Sequence, residues 1–355
     1  MPIGGLTAAD VIEAWAGRYL DAAVRGVRSA EVADKIALHL ARFRDHFHAA
    51  HGHDRLSAVV KREVVTWRDH LAAAPAAGGL GLAPATVNTH LASLSGFTTW
   101  VSAHDPVALP HGNPCAKVGD LPLPALEPRA LTPGQIRTLK NVLDRLPRFH
   151  QHKGRRRSQA GELHGHARPL RDRAIVELLL CTDLRREELV NLDLDQVAPS
   201  TPEALRAVKK AKISGVRGKG RTSRNVFLSA DGRTALADYL EHERPADADA
   251  NSTALFLSAA SIGSRRPDGR LSPRSINLIC EQIGRWHDAE HPDPARHISP
   301  LRPHDLRHSF AFALAAATGN DAYELERRLG HQSQRYIHRY TNPPEDIAAG
   351  YIEQM

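Results

Sequence analysis

Apolar residues in the first third of the chain recur at helical spacing. Val32, Ile36, Leu40, Phe43 and Phe47 fall three or four apart, and Val87, Leu91, Leu94 and Val101 repeat the pattern after Pro84. Such a stripe lines one side of an amphipathic helix, so residues 1 to about 110 read as helical. The pattern breaks between Asp105 and Gly134, where seven prolines stand. Proline fixes φ, removes a donor and pushes the preceding residue out of helix. This predicts a helical domain at 1–115, a linker at 116–130 and a second domain at 131–355. Thr132 and Pro133 supply the N-cap and first position of a helix through GQIRTLKNVLDRL.

In the second domain, residues 148–173 hold eight Lys/Arg against two acids and show no apolar period, which predicts a basic surface loop. A buried helix should begin near Leu170 and reach Cys181, with Ile175, Val176, Leu178, Leu179 and Leu180 inside. Asp183 interrupts it, and 184–192 predicts a second, short helix. Over 206–229 the period changes. Val208 and Ile213 precede GVRGKGRTSR, and NVFLS reads as a strand, so Gly218 and Gly220 put Lys219 at or near a hairpin tip. Ser272-Pro273 opens another helix, and the last quarter is helical, with breaks at Gly319-Asn320 and Gly330. The fold class predicted is mainly α with a small β-sheet (α+β).

A chain of 355 residues suits two domains, and 42% hydrophobic with 25% charged residues is a globular composition. Net charge is +7; the first 115 residues balance ten Lys/Arg against ten Asp/Glu, so the excess lies beyond them. A basic second domain favours a polyanionic partner. The N-terminus lacks a basic stretch followed by an apolar core, and the apolar run Phe310–Ala317 is too short to span a bilayer. No membrane association is expected, and a cytoplasmic, nucleoid-associated location is. Cys115, Cys181 and Cys280 have neither metal nor redox spacing and read as reduced, buried thiols.

Six residues carry the candidate chemistry: Arg185, Lys219, His304, Arg307, His331 and Tyr340. They comprise one plausible nucleophile, two guanidiniums, one ammonium and two imidazoles. That set suits a phosphodiester. Two guanidiniums can hold non-bridging oxygens and stabilise the added charge of a pentavalent transition state. A tyrosine of pKa about 10 needs neighbouring cations or a base to attack. A lysine can protonate a departing oxygen, so neither metal nor cofactor is called for. Singly each feature is ordinary: an arginine in LRREEL is usually solvated or ion-paired, and GKG is a turn. Order and spacing together distinguish them. A metal site at His150, His152, His164 and His166 is disfavoured by its loop setting and basic neighbours.

The chain resembles the tyrosine recombinases, the phage-integrase family. The matching stretches are LLLCTDLRREELVNL, VRGKGRTSRNVFL, HDLRHSFA, LGH and a tyrosine nine residues beyond that histidine. APATVNTHLASLSGFTTWV and Asn113-Pro114 look like the end of the family's helical core-binding domain. The resemblance implies that Arg185 and Arg307 clamp the scissile phosphate. Lys219 then donates a proton to the leaving 5′-oxygen, and His304 acts as general acid/base. His331 hydrogen-bonds the phosphate, and Tyr340 forms a 3′-phosphotyrosyl link. Glu188 would orient the site, and His308 fits the pattern as a packing residue. Two departures stand out. Asp183 occupies the place of a usual glycine, and a left-handed turn is expected to survive there because Asp tolerates that conformation. Extra sequence between Arg185 and Lys219 leaves Lys210 and Lys212 as alternative lysines.

The same resemblance implies duplex DNA with inverted-repeat core sites as partner and a tetramer on two such sites. The tail beyond Tyr340 would dock on a neighbouring copy or on its own domain. Arg155, Arg156, Arg157, Arg217, Arg221 and Arg224 are the expected DNA contacts. Two other functions share the residues: topoisomerase IB-like relaxation, and DNA binding without catalysis.

Overall fold

In the first third of the chain the apolar stripe becomes helix, with one shift. The structure, a computed structural model, describes residues 10–123, 129–147, 165–218, 223–250 and 252–319. It divides into two compact units, Met1–Leu126 and Glu127–Met355. In the first, α1 (Ile12–Tyr19) runs into a π-helical turn at Leu20–Val24, followed by α2 (Ala30–His51), α3 (Lys61–Ala72) and α4 (Pro84–His104). Leu40, Phe43 and Phe47 share one core with Val64 and Trp67 of α3 and with Val87, Leu91, Leu94 and Val101 of α4. Val32 does not join them and is 40% exposed. The first turn of α2 meets the π-helical turn instead, and Ala33 packs there on Leu20 and Val24.

The proline-rich stretch is not open chain throughout. Both amide groups of Asn88 bind Leu121: Nδ2 donates to its carbonyl at 2.9 Å, and Oδ1 accepts from its N–H at 2.8 Å. Arg68 donates to the Gly119 carbonyl. Cys115, Val118 and Leu121 pack on the first core. Proline blocks helix here but leaves backbone groups that must find partners, and side chains of α3 and α4 supply them. The segment expected as linker from residue 116 thus begins as part of the first unit. Burial pushes the Cys115 thiol up to about 11, as befits an inert thiol.

In the second unit the Thr132 hydroxyl accepts from the Gln135 N–H, and the Gln135 side chain accepts from the Thr132 N–H. This capping box starts α5 (Pro133–Asp144). There follow α6 (Pro169–Cys181), α7 (Arg186–Val190), β1 (Val197–Ala198), α8 (Pro202–Ala207), β2 (Ala211–Arg217), β3 (Ser223–Leu228), α9 (Ala230–His242), α10 (Arg244–Asp247), α11 (Pro273–Ala289) and α12 (Pro303–Ala317). The three strands form an antiparallel sheet in the order β1-β2-β3. Val216 pairs with Arg224, beyond an irregularity between Ile213 and Val216 where Gly215 has φ +66°. Ile175, Leu178 and Leu179 of α6 lie at the centre of the core, with Leu139, Leu189, Val226, Leu236, Ile276 and Leu306 around them. Among the described residues no helix is long and apolar enough to cross a membrane.

One loop matters for the site, because it delivers α12. Asp288 accepts from the N–H groups of Ile298 and Ser299 at 2.8 and 3.0 Å. Arg129 donates to the carbonyls of Ile298, Ser299 and Pro300. An anion therefore takes the donors and a cation the acceptors of the same short stretch. Burial works to raise the Asp288 carboxyl, but its hydrogen bonds with Ser299, Ile298 and His287 outweigh it and hold it down at about 2. Such a depressed carboxylate stabilises the fold above the ordinary Asp value, and the contribution is lost as pH falls through about 2. Asp288→Ala should cost about 2 kcal/mol in urea unfolding at pH 7. The gap from the unsubstituted protein should shrink only below pH about 4, where Asp becomes protonated; a gap that closes at higher pH would contradict the assignment.

Candidate active site

Extended backbone carries the chain from α6 to α7, with φ −136° at Thr182 and −77° at Arg185. The left-handed turn expected at Asp183 is absent: among the described residues only Lys117 combines a side chain beyond glycine's with a positive φ. What holds this segment is charge. Asp183 is 1% exposed, and Arg307, reaching across from α12, is 3% exposed. Arg307 Nη2 donates to Asp183 Oδ2 at 2.9 Å and Nη1 to its carbonyl oxygen at 3.0 Å. Arg307 Nε lies 2.8 Å from Oδ1, yet off the hydrogen-bond direction, so that buried oxygen has an ion pair and no hydrogen bond.

Glu188, in the first turn of α7, is better satisfied. It accepts from the Arg185 N–H and from Arg185 Nη1 at 2.8 and 2.9 Å, and from Arg224 Nη1 and Nη2 at 3.0 and 2.8 Å. The contrast shows in their acidities. Burial pushes Asp183 up to about 7 against the pull of Arg307, Arg224 and Arg185. Burial also works to raise Glu188, but the hydrogen bonds from Arg224 and the Arg185 backbone win, and its carboxyl lies below the ordinary value. Four hydrogen bonds compensate desolvation where one does not.

Arg224 corrects an expectation. It was expected among the DNA contacts, but its guanidinium is spent on Glu188 and on the Asp183 carbonyl at 2.8 Å. It lies on the face of β3 that also buries Val226 and Leu228. The signal was present in the alternation SRNVFL, which puts Arg224 in phase with those two apolar residues. Arg217, by contrast, is exposed near the end of β2. Lys212 is exposed and pairs with exposed Phe227, on the face opposite Arg224; Lys210 is exposed before the strand.

His304 sits in the first turn of α12, exposed at the rim of a cleft of about 560 Å³ whose walls include Leu184, Arg185, Arg186, Glu187 and Arg302. Desolvation at the wall, then the charges of Arg307 and Arg185, hold its imidazole below the ordinary range. It is therefore neutral at pH 7 and able to accept a proton. His308 follows one turn later, its ring centroid 5.5 Å from that of His304. Asp305 caps the helix by accepting from the Arg302 N–H at 2.9 Å. Ser309 donates to the Asp305 carbonyl and accepts from the Leu131 N–H, so the turn bearing His304 and Arg307 is bolted to the start of the unit.

Arg185, Arg307, His304 and Glu188 are thus brought together. Lys219, Arg221, His331, Tyr336, Tyr340, Arg155, Arg156 and Arg157 lie outside the described residues, as do His150, His152 and His164. His166 is hydrogen-bonded with Ser261. Among the described residues no three His, Cys, Asp or Glu side chains are grouped to hold a metal ion.

The sequence profile of the phage integrase family matches residues 150–346, more than half of the chain. The chain belongs to the phage integrase family. It is 32% identical over 175 residues to tyrosine recombinase XerC of Azotobacter vinelandii, covering 48% of each. It is 34% identical over 177 residues to tyrosine recombinase XerD of Corynebacterium glutamicum, covering 50% of each. The chain therefore spans about half the length of these curated relatives. Its fold is similar to that of the XerH site-specific recombinase bound to palindromic difH substrate in a post-cleavage complex. The TM-score is 0.68 at 17% identity, covering 100% of this chain and 99% of that one. At that identity the likeness speaks for the fold. Within this phage integrase fold, Arg224 should behave as scaffold and Arg217 as surface. Arg224→Ala leaves Glu188 buried with fewer partners and should cost about 3–5 kcal/mol in chemical denaturation. Arg217→Ala should stay within about 0.5 kcal/mol of the unsubstituted protein.

Proposed function

We propose that this protein cuts and rejoins duplex DNA at specific sites through a 3′-phosphotyrosyl intermediate. The observation that carries the reading is the convergence of Arg185, Arg307 and His304 in one unit, with Arg185 and His304 on a single cleft. Around the 183–188 turn, three guanidiniums (Arg185, Arg224, Arg307) face two carboxylates (Asp183, Glu188). Even with both acids ionised, one positive charge is left over, which suits a phosphodiester anion.

In this reading Arg185 and Arg307 hold the non-bridging oxygens and stabilise the charge that grows in the transition state. Tyr340 attacks phosphorus. The P–O bond to the 5′-oxygen breaks as Lys219 protonates that oxygen, and His304 moves the tyrosyl proton. His331 adds a hydrogen bond to the phosphate. The bond energy is stored in the phosphotyrosine, so a 5′-hydroxyl from a partner strand can reverse the step without ATP. Arginine charge takes the place of a metal ion. Arg155, Arg156, Arg157, Arg217 and Arg221 would contact phosphates and make binding salt-sensitive. Four copies on two inverted-repeat sites would complete an exchange, with the tail after Tyr340 docked on a neighbour. The palindromic substrate of the XerH complex fits such a site.

A random-sequence duplex library carrying nicks tests the reading. The protein should become covalently attached to a subset of duplexes, in an adduct that survives boiling in detergent, and sequencing that subset gives the site. Tyr340→Phe should form no adduct while still shifting the selected duplex in a gel, and Tyr336→Phe should form it. Adduct from Tyr340→Phe at the unsubstituted level would end the proposal. Lys219→Ala should cleave slowly and regain its rate on a substrate with sulfur at the bridging 5′ position, because a thiolate leaves without protonation. Rescue of Lys212→Ala in its place would move the acid to that lysine.

A further inference from the structure

The residue before Leu184-Arg185 is the least explained part of the site. Glycine is common there in the family resemblance, but the backbone does not ask for it, since Asp183 has no positive φ. The side chain is therefore present for its own chemistry. Its carboxylate is buried, and Oδ1 has no hydrogen bond. Its main contact is the guanidinium of Arg307, met at Nε and Nη2, while the Asp183 carbonyl meets Nη1. A glycine would keep the carbonyl contact and lose both of the others.

We propose that Asp183 is a positioning residue for the arginine clamp: its ionised carboxylate fixes the Arg307 guanidinium in the orientation that receives a phosphodiester, and protonation of Asp183 loosens it. This rests on the phosphodiester reading of the site. The charged groups facing Asp183 are Arg307 from α12, Arg224 from β3, Arg185 just before α7 and Glu188 within it, with His304 one turn before Arg307. Glu188 keeps Arg224 and Arg185 occupied through four hydrogen bonds. Arg307 meets Asp183 through both its carboxylate and its carbonyl. Burial raises the acidity range of Asp183 to about 7, so its charge changes near neutral pH. Misplacing one clamp nitrogen by a fraction of an ångström weakens transition-state binding more than ground-state binding, which is the signature of a positioning role.

Two measurements test this. The first uses the selected nicked duplex and single-turnover formation of the adduct. Asp183→Asn keeps size and polarity but not charge. It should slow adduct formation by about tenfold or more at pH about 8, with duplex affinity changed by no more than about twofold. In the unsubstituted protein the rate should rise as pH passes through about 7; in Asp183→Asn that step should be missing. Asp183→Glu should recover part of the rate. A Asp183→Asn rate equal to the unsubstituted one at every pH, or a loss confined to affinity, overturns the proposal. The second needs neither DNA nor a substitution at 183. In arginine-labelled protein the Arg307 guanidinium resonances, assigned by their loss in Arg307→Lys, should be sharp at pH about 8.5 and exchange-broadened at pH about 5.5, either side of the Asp183 range. Identical signals at both values overturn the proposal even if Asp183→Asn fails to fold. If the unsubstituted protein forms no adduct, the recombinase reading falls, and the resonance measurement alone decides whether Asp183 holds Arg307.

Discussion

Two arginines and two acids have been taken out of water around one short extended segment, with a third arginine at its solvent edge, and they must satisfy one another there. Removing a single partner from such a set leaves an uncompensated charge, so the set is held as a unit. This constraint ties together pieces far apart in sequence. Asp183 comes from the extended segment after α6, Glu188 from the start of α7, Arg224 from the sheet, and Arg307 from α12. Apolar packing alone would place these elements side by side with some freedom to slide. The guanidinium-to-carboxylate geometry, with its fixed fork, removes that freedom. Register in the β-hairpin matters for the same reason. A slip of one residue would turn Arg224 to solvent and strip Glu188 of two hydrogen bonds.

The second half of the construction is the grip on the 298–302 loop. Asp288 and Arg129 bind its donors and acceptors, and Asp305 and Ser309 lock the first turn of α12. None of these groups reaches the cleft. Their effect is to give His304 and Arg307 a rigid base, so the distance between Arg307 and Asp183 is decided by the scaffold as well as by the ion pair. Under the proposed function, a site that must meet a phosphate within a fraction of an ångström needs both.

Much of this was legible in the residues, and the parts that were not have physical causes. The helical stripe through Leu40, Phe43 and Phe47, the cap at Thr132-Pro133, the cap at Ser272 and the strand through Asn225 to Leu228 are local signals with short-range causes, and they appear as expected. Arg185, Glu188, His304 and Arg307 could be picked out because motif spacing fixes which turn of which helix bears them. Val32 was misread because the π-helical turn takes Ala33 in its place, which no period reveals. The linker was misread at its start because Asn88 and Arg68 bind backbone that proline had freed. Asp183 and Arg224 were misread for a deeper reason. Whether a charged residue serves solvent, a ligand or another charge depends on partners distant in sequence, and composition near it says little. Arg224 was expected to contact DNA along with Arg217 and Arg221, yet it faces inward.

Exposure then sorts the cations of the site by task. The Arg307 side chain is 3% exposed, that of Arg224 13% and that of Arg185 32%. A guanidinium exposed like Arg185, on the wall of the cleft, can meet a ligand but is also screened by water. One buried like Arg307 has little water to reorganise as charge develops nearby, so its field acts at close to full strength. The cost is that a buried cation must be balanced while the site stands empty. Asp183 supplies that balance for Arg307 with a carboxylate that is itself short of hydrogen bonds. Glu188 balances Arg224 so fully that Arg224 has little left to offer a ligand. Two acids a few residues apart thus bind two arginines differently: Glu188 takes two hydrogen bonds from Arg224, whereas Asp183 takes one from Arg307 on Oδ2 and an ion pair on Oδ1.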